Sequence, residues 1–233
     1  MKTLLVLPLT LSLLPAALPA QDGARAAADT AHVPFACEEQ GLRDGAPFGC
    51  QLLARPSGMR LPAGAVFWHL ARYPSREAAQ AAGRFTDILT EITTDDGAET
   101  WLHRFGAESD VPRGGAQTTL VGPLPLPRGS QFRIDVFHVV MPAGARTAVH
   151  AHPGPEAWYL LEGEQCVETS KGVVRGAAGE GVVSPPAGVP MQVVNSGTGT
   201  LRALSVLIRD DARPRATPSR WKPKGACDAP PPG

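Results

Sequence analysis

The stretch GARTAVHAHPGPEAWYLLEG, residues 144–163, sets two histidines two apart and a glutamate four further on, inside an apolar run punctuated by glycine and proline. Alternate side chains of a strand project to one face, so His150 and His152 are expected to share a face about 7 Å apart and to meet at one ion. Pro153, Gly154 and Pro155 turn the chain, and Glu156, opening the next strand, then returns a carboxylate to that face. Two neutral imidazoles and one carboxylate form a three-ligand set that leaves open positions on Fe(II) and also suits Mn or Zn. One divalent metal ion (Fe, Mn or Zn) is therefore the expected cofactor, held by His150, His152 and Glu156. The plainer alternative is a polar pocket without metal. Two of the six histidines falling in one motif favours the metal.

Downstream and upstream of this stretch, short apolar segments recur: FRIDVFHVV, AVHAH, AWYLL, QCVET, VVS, MQVV and LRALSVLI. They are separated by PAGAR, PGP, EGE, SKG, PPAG and NSGTG, which are turn compositions. Regular short strands with such turns predict an antiparallel sandwich or barrel. GPLPLPRGS, residues 122–130, marks the expected start of this all-β part.

The first motif, Gly144, His150, His152, Glu156 and Gly163 in their spacing, resembles the first motif of the cupin superfamily at every position. A second stretch, PAGVPMQVVN at residues 186–195, matches the second cupin motif at Pro186, Gly188 and Asn195 but carries Met191 where that motif has a metal-binding histidine. The resemblance spans about residues 122–210. It implies a double-stranded β-helix (jelly-roll) barrel with its ligand site inside, and it is similar to the type 2 cupins, among which are dioxygenases, isomerases, sugar epimerase relatives, sensors and binding proteins. It also implies a homodimer paired through barrel edges. Met191 is expected inside the barrel beside the histidines, as an apolar wall in preference to a soft thioether ligand. Trp158 and Leu160 share the parity of Glu156 and are expected to line the interior with it, while Tyr159 and Leu161 face away.

Residues 37–121 read as a small α+β unit: strand-like GCQLLARP and AVFWHLARYP, a short helix in SREAAQAAGRF with Ser75 as N-cap, then strands in DILTEITT and AETWLHRF. The fold class expected for the whole is thus mainly β, a barrel over 122–210 preceded by this unit. Residues 211–233, Pro-rich and aperiodic, form a tail expected to wrap the surface or to stay partly disordered.

MKTLLVLPLTLSLLPAALPA, residues 1–20, reads as a secretory signal peptide, with cleavage after Ala20 or after Ala26, and 21–36 as a flexible leader. Pro8 and Pro15 interrupt the apolar run and argue against a membrane span, so no membrane association is expected after cleavage, and the protein is expected to be periplasmic or secreted. An oxidising compartment lets Cys37, Cys50, Cys166 and Cys227 pair. Three connectivities are open, of which Cys37 with Cys50 closes the shortest loop and is the pair expected.

Lys plus Arg and Asp plus Glu number 22 each in 233 residues, so no overall field favours nucleic acid or an anionic surface. The expected partner is a small-molecule ligand or substrate. His138 reads as a core or edge histidine, and His32, His69 and His103 lack ligand-like spacing. No GxSxG stretch or CxxC pair supports nucleophilic or thiol redox chemistry. Two functions stay open: a metal-dependent oxidoreductase or isomerase acting on a small polar molecule, dioxygenase-like or isomerase-like, and a non-catalytic ligand binder or sensor.

Overall fold

Val, Ile and Leu crowd both faces of FRIDVFHVV and LRALSVLI, a composition that suits strands covered on two sides. They become β7 (Arg133–Met141) and β15 (Leu201–Arg209), paired antiparallel over their whole lengths. The structure, a computed structural model, describes residues 34, 35, 37, 42, 47–94, 97–128 and 131–228. The expected signal peptide lies outside these residues.

In chain order the strands before β7 are β1 (Pro34–Phe35), β2 (Gly49–Ala54), β3 (Val66–Tyr73), β4 (Ile88–Thr94), β5 (Gly97–Gly106) and β6 (Gln117–Leu124), with helix α1 (Arg76–Ala82) after β3. Between β7 and β15 come β8 (Arg146–Thr147), β9 (His150–Ala151), β10 (Glu156–Glu162), β11 (Glu164–Thr169), β12 (Gly172–Ala177), β13 (Gly181–Val183) and β14 (Met191–Asn195), and β16 (Thr217–Pro218) ends the series. A central five-stranded sheet has the order β13-β10-β15-β7-β2, a seven-stranded sheet contains β1-β8-β14-β11-β12 with β9 and β16, and a four-stranded sheet runs β4-β5-β3-β6. The first two sheets form the jelly-roll barrel.

Alternation distributes the central sheet between two cores. Phe137, Val139, Trp158, Leu160 and Ala203 face inward against Val167, Met191 and Val193 of the seven-stranded sheet. Ile134, Val136, Tyr159, Leu204 and Val206 face outward onto Trp68, Leu70, Trp101 and Val121 of the four-stranded sheet. Parity thus puts Trp158 and Leu160 inside and Tyr159 outside. Asp135, fully buried, is bonded by Arg55 Nε at 2.5 Å and Arg209 Nε at 3.0 Å, tying the segment after β2 to β7 and β15. Two guanidinium partners are what permit a carboxylate at that depth.

Ser75 caps α1 by accepting from the Ala78 amide at 3.2 Å, and the helix sets Ala79 against Ala71, Tyr73 and Leu102. Five strands are absent from the sequence reading: the two-residue β1, β8 and β16, and the longer β6 and β12. β6 takes in Gly122, Pro123 and Leu124, where punctuation was expected; it is an edge strand, where a proline lacking N–H is tolerated. β12 is also an edge, its glycines and half-exposed Val173 and Val174 giving no alternation to read. β2 pairs with β7 and so belongs to a barrel sheet. In the described part of the tail β16 pairs with β9, and Cys227 is joined to Cys166. The other disulfide joins Cys37 to Cys50, the pairing favoured above.

His103 is fully buried in the four-stranded sheet. Its Nδ1 accepts from Trp68 Nε1 at 3.2 Å, which leaves Nε2–H to donate to Thr90 Oγ1 at 2.8 Å. Burial pushes its pKa down from 6.5 to about 3. Between those two pH values the unfolded chain binds a proton that the folded ring refuses, so stability is full above about 6.5 and falls by about 1 kcal/mol per unit of pH down to about 3. His138, lowered to about 4 by burial and by Arg202, acts in the same direction. In His103→Gln the amide can keep both hydrogen bonds without a titrating group; the loss of urea midpoint between pH 7 and pH 4.5 is expected to be roughly halved, and an unchanged loss would show that His103 does not govern it.

Candidate metal centre

Three chain segments bring the motif together. β9 spans only His150–Ala151, and its ladder with β14 sets His150 opposite Met191. His152 follows, then the turn Pro153–Pro155. Gly154 passes so close to β15 that a Cβ there would lie 1.9 Å from the Ile208 carbonyl oxygen. Only glycine lets the turn close at that distance and start β10 at Glu156. At the far end of the motif, Gly163 has φ +79° with a built Cβ 2.5 Å from Thr200 O, a second position where a side chain is excluded by both backbone and space.

The Nε2 atoms of His150 and His152 are 3.0 Å apart, and His152 Nε2 lies 3.4 Å from Glu156 Oε2. All three potential ligand atoms fall within 4.8 Å of one another. Both imidazoles are oriented from behind. His150 Nδ1 donates to Ala148 O at 2.7 Å, and His152 Nδ1 to Arg215 O at 2.7 Å. Carbonyl oxygens only accept, so each Nδ1 bears the hydrogen and each neutral ring presents a lone pair at Nε2. Two lone pairs aimed at one another across 3.0 Å repel unless a cation, proton or metal, lies between them.

Glu156 is fixed through its main chain by Ser184, whose Oγ accepts from Glu156 N at 3.0 Å and donates to Glu156 O at 2.6 Å. Ser205 Oγ donates to Oε1 at 3.1 Å. Oε2 is buried without any hydrogen-bond partner among the described residues, its contact with His152 being electrostatic only. An orphan carboxylate oxygen beside two directed lone pairs is a donor set that fits a cation.

Burial and the neighbouring His152 lower the pKa of His150. Burial also opposes charge on His152, but the Glu156 carboxylate and the Arg215 carbonyl outweigh it and leave this ring more basic than usual. Burial would raise Glu156, yet His152 holds it below the usual carboxylate range.

A cavity of about 190 Å³ adjoins the three side chains. Phe137, Trp158, Val193 and Leu207 wall it from four strands, and Cys37 and the Arg215–Ala216 segment close it from the two ends of the chain. Trp158 lines it; Met191 and Leu160 are buried in the adjoining apolar cluster and do not reach the cavity surface. The sequence reading did not find Ala148, Ser184, Ser205 or Arg215. Two of these act through backbone carbonyls, which leave no mark on side-chain identity. His138 lies on the outer face of the central sheet, His69 bonds Ala107 O at 2.7 Å, and neither approaches the cluster. His32 lies outside the described residues.

Residues 137–207 match the family model described as Cupin domain. Among solved structures, the chain is similar to a cupin-like protein from Thermotoga maritima MSB8, at 25% identity over 40% of this chain and 66% of that one, with a TM-score of 0.34. It is similar to a cupin 2 conserved barrel domain protein from Salinispora arenicola CNS-205, at 25% identity over 34% and 65%, TM-score 0.30. A cupin domain from Bordetella pertussis Tohama I gives 21% identity over 37% and 90%, TM-score 0.29. The chain spans just under two thirds of the length of the first two. No curated protein matches the sequence.

Gly154→Ala would drive a methyl group into the Ile208 carbonyl, and the backbone on one side must move. The variant is expected to lose about 3 kcal/mol of stability, read from its denaturation midpoint. A midpoint equal to that of the wild type would mean the turn has slack and does not set the position of Glu156.

Proposed function

Residues 137–207 being a cupin domain, we propose that the protein is an exported cupin that holds one divalent metal ion through His150, His152 and Glu156 and binds a small organic molecule in the adjoining cavity. The observation that carries this reading is the pair of Nε2 lone pairs facing each other at 3.0 Å beside the unpartnered Oε2 of Glu156. A metal there would supply Lewis acidity or, if iron, oxygen chemistry. The chain's own part is to fix the two ring tautomers through Ala148 and Arg215, to hold Glu156 through Ser205 and Ser184, and to give the cavity an apolar wall with Phe137, Trp158 and Leu207.

Beside the three motif residues, Arg215 is the one further charged side chain among the described lining residues, and binding without turnover is the alternative. Turnover as an oxidoreductase or isomerase would then rest on the metal alone. Export is supported by the two disulfides and by the reading of residues 1–20. Among the described residues no helix is long and apolar enough to cross a membrane.

Purified protein is expected to carry close to one metal per chain by elemental analysis, and His150→Ala, His152→Ala and Glu156→Ala each to lose most of it. Binding weakens as pH falls, because a protonated imidazole cannot ligate, and His152, the more basic of the two rings, is the first to take the proton. Stoichiometric metal in all three variants would overturn the site.

Met191 faces His150 across the β9–β14 ladder but is packed in the apolar cluster. Met191→Leu is therefore expected to change Zn(II) affinity by no more than about twofold, and Met191→His to tighten it by about tenfold through a fourth ligand. Loss of metal in Met191→Leu would make the thioether a ligand and point to a softer ion such as Cu(I).

A further inference from the structure

We infer that the cavity takes a small organic carboxylate, whose apolar body packs on the barrel wall and whose anionic end is recognised by the guanidinium of Arg215. Recognition by Arg215 rests on this cavity being the ligand site proposed above, and it does not require the metal.

The lining is of two kinds. Phe137, Trp158, Val193 and Leu207 give it apolar surface from four strands. The volume of about 190 Å³ leaves room for one ring and its carboxylate, since an apolar cavity of about 150 Å³ accepts benzene. The polar lining consists of Thr147, Arg215 and the three motif side chains. Thr147 Oγ1 accepts from the Val193 amide at 3.0 Å, a bond within the barrel wall. Glu156 is the anion of the lining, and its Oε2 lies 3.4 Å from Nε2 of His152, the more basic of the two rings. Arg215 is the cation.

Three contacts fix where that cation sits. The Arg215 carbonyl receives His152 Nδ1–H at 2.7 Å, Nη2 donates to Cys37 O at 2.5 Å, and Cζ lies 5.1 Å from the centroid of the Phe137 ring. Cys37, Phe137 and His152 all line the cavity, and Arg215, itself in the lining, is only half-buried. Its charge reaches both imidazoles and opposes their protonation. A guanidinium carries five N–H donors in a planar fork that matches a carboxylate, and the bond to Cys37 O does not neutralise it. Beside apolar walls such a charge is screened less than at an open surface. An anion gains from it directly, whereas a neutral molecule of the same shape does not. A divalent ion at the histidine cluster would add charge of the same sign.

Benzoate and benzamide have nearly the same shape and differ in charge, and acetate keeps the charge without the ring. All three are titrated calorimetrically into the purified full-length protein, and again after a chelator has removed any metal. In both states benzoate is expected to bind about tenfold more tightly than benzamide, as one charge-assisted hydrogen bond allows. Acetate, which buries less apolar area, is expected to bind about tenfold more weakly than benzoate. Arg215→Gln retains a carbonyl at position 215 for His152 and removes the cation, and is expected to lower the benzoate-to-benzamide ratio about tenfold. If that variant does not fold, the wild-type ratio after chelation decides. Benzamide or acetate binding as tightly as benzoate, or a ratio unchanged by Arg215→Gln, would overturn the inference. A preference for benzoate that disappears with the metal would place the anion on the ion and overturn the role of Arg215. An Arg215-dependent ratio in protein that takes up no Zn(II) would uphold that role while removing the metal from the proposed function. Zn(II) uptake with no binding of benzoate would do the reverse.

Discussion

The central sheet is buried on both faces, and the positions of Glu156, Trp158 and Ser205 follow from that constraint. On β10 the odd-numbered residues Ala157 and Tyr159 fill the core toward the four-stranded sheet, while Glu156, Trp158 and Leu160 enter the barrel. On β15 Ser205 and Leu207 turn inward and Leu204 and Val206 outward. A slip of one residue in either ladder would move Glu156 out of the barrel and an alanine or a tyrosine in, exchanging the contents of two cores at once. Packing on two sides therefore specifies the register far more strongly than a half-exposed sheet would. Functional precision at Glu156 is a consequence of apolar burial at Tyr159 and Val206.

The same constraint explains what could be read in the sequence and what could not. The motif from Gly144 to Gly163 carries backbone requirements as well as ligands, since Gly163 adopts φ +79° against Thr200, and such requirements survive as residue identities. Ser75, the strands β3, β4, β5, β7, β10, β11, β14 and β15, and the inward parity of Trp158 were legible for the same reason: each is written in a side chain. β6 and β12 were not, because edge strands are freed from the alternation that reveals an inner strand, and Pro123 or Gly176 can occupy them. β2 was read as a strand but not as a member of a barrel sheet, because its pairing partner lies more than eighty residues away. The orienting carbonyls of Ala148 and Arg215 were invisible in principle, being groups that every residue possesses.

The two histidines show how much of the candidate site's geometry is set by groups other than the three side chains of the cluster. The expectation from strand geometry was two rings side by side on one face. In the structure β9 ends at Ala151, and His152 is aimed by the tail's Arg215 carbonyl as much as by its own strand. The interplanar angle of 78° between the rings lets both Nε2 atoms converge although the side chains leave the backbone at different angles. A neutral ring locked at Nδ1 is also a better donor at Nε2. The electrostatic asymmetry follows from placement: burial and the neighbouring His152 make His150 resist protonation, and His152, in contact with Glu156, favours it.

Cys37, ahead of the barrel strands, and Arg215, after them, therefore both take part in the site, and each segment is held by a disulfide. Cys37 borders the cavity and is fixed to Cys50 at the start of β2. Arg215 joins the two ends: its carbonyl receives His152, its guanidinium lies 5.1 Å over the Phe137 ring, and it donates to Cys37 O at 2.5 Å. Downstream, Cys227 is tied to Cys166 on β11, and Glu168 accepts from the amides of Lys224 and Ala226. A cross-link spanning 61 residues restricts the unfolded chain by about 4 kcal/mol in the chain-entropy view. Terminal segments fray unless tied down, and a tail free to fray would release the carbonyl that sets the His152 tautomer. The candidate metal centre and the oxidised cysteines are in this way one structural problem: what keeps the disulfides closed also keeps the imidazoles aimed.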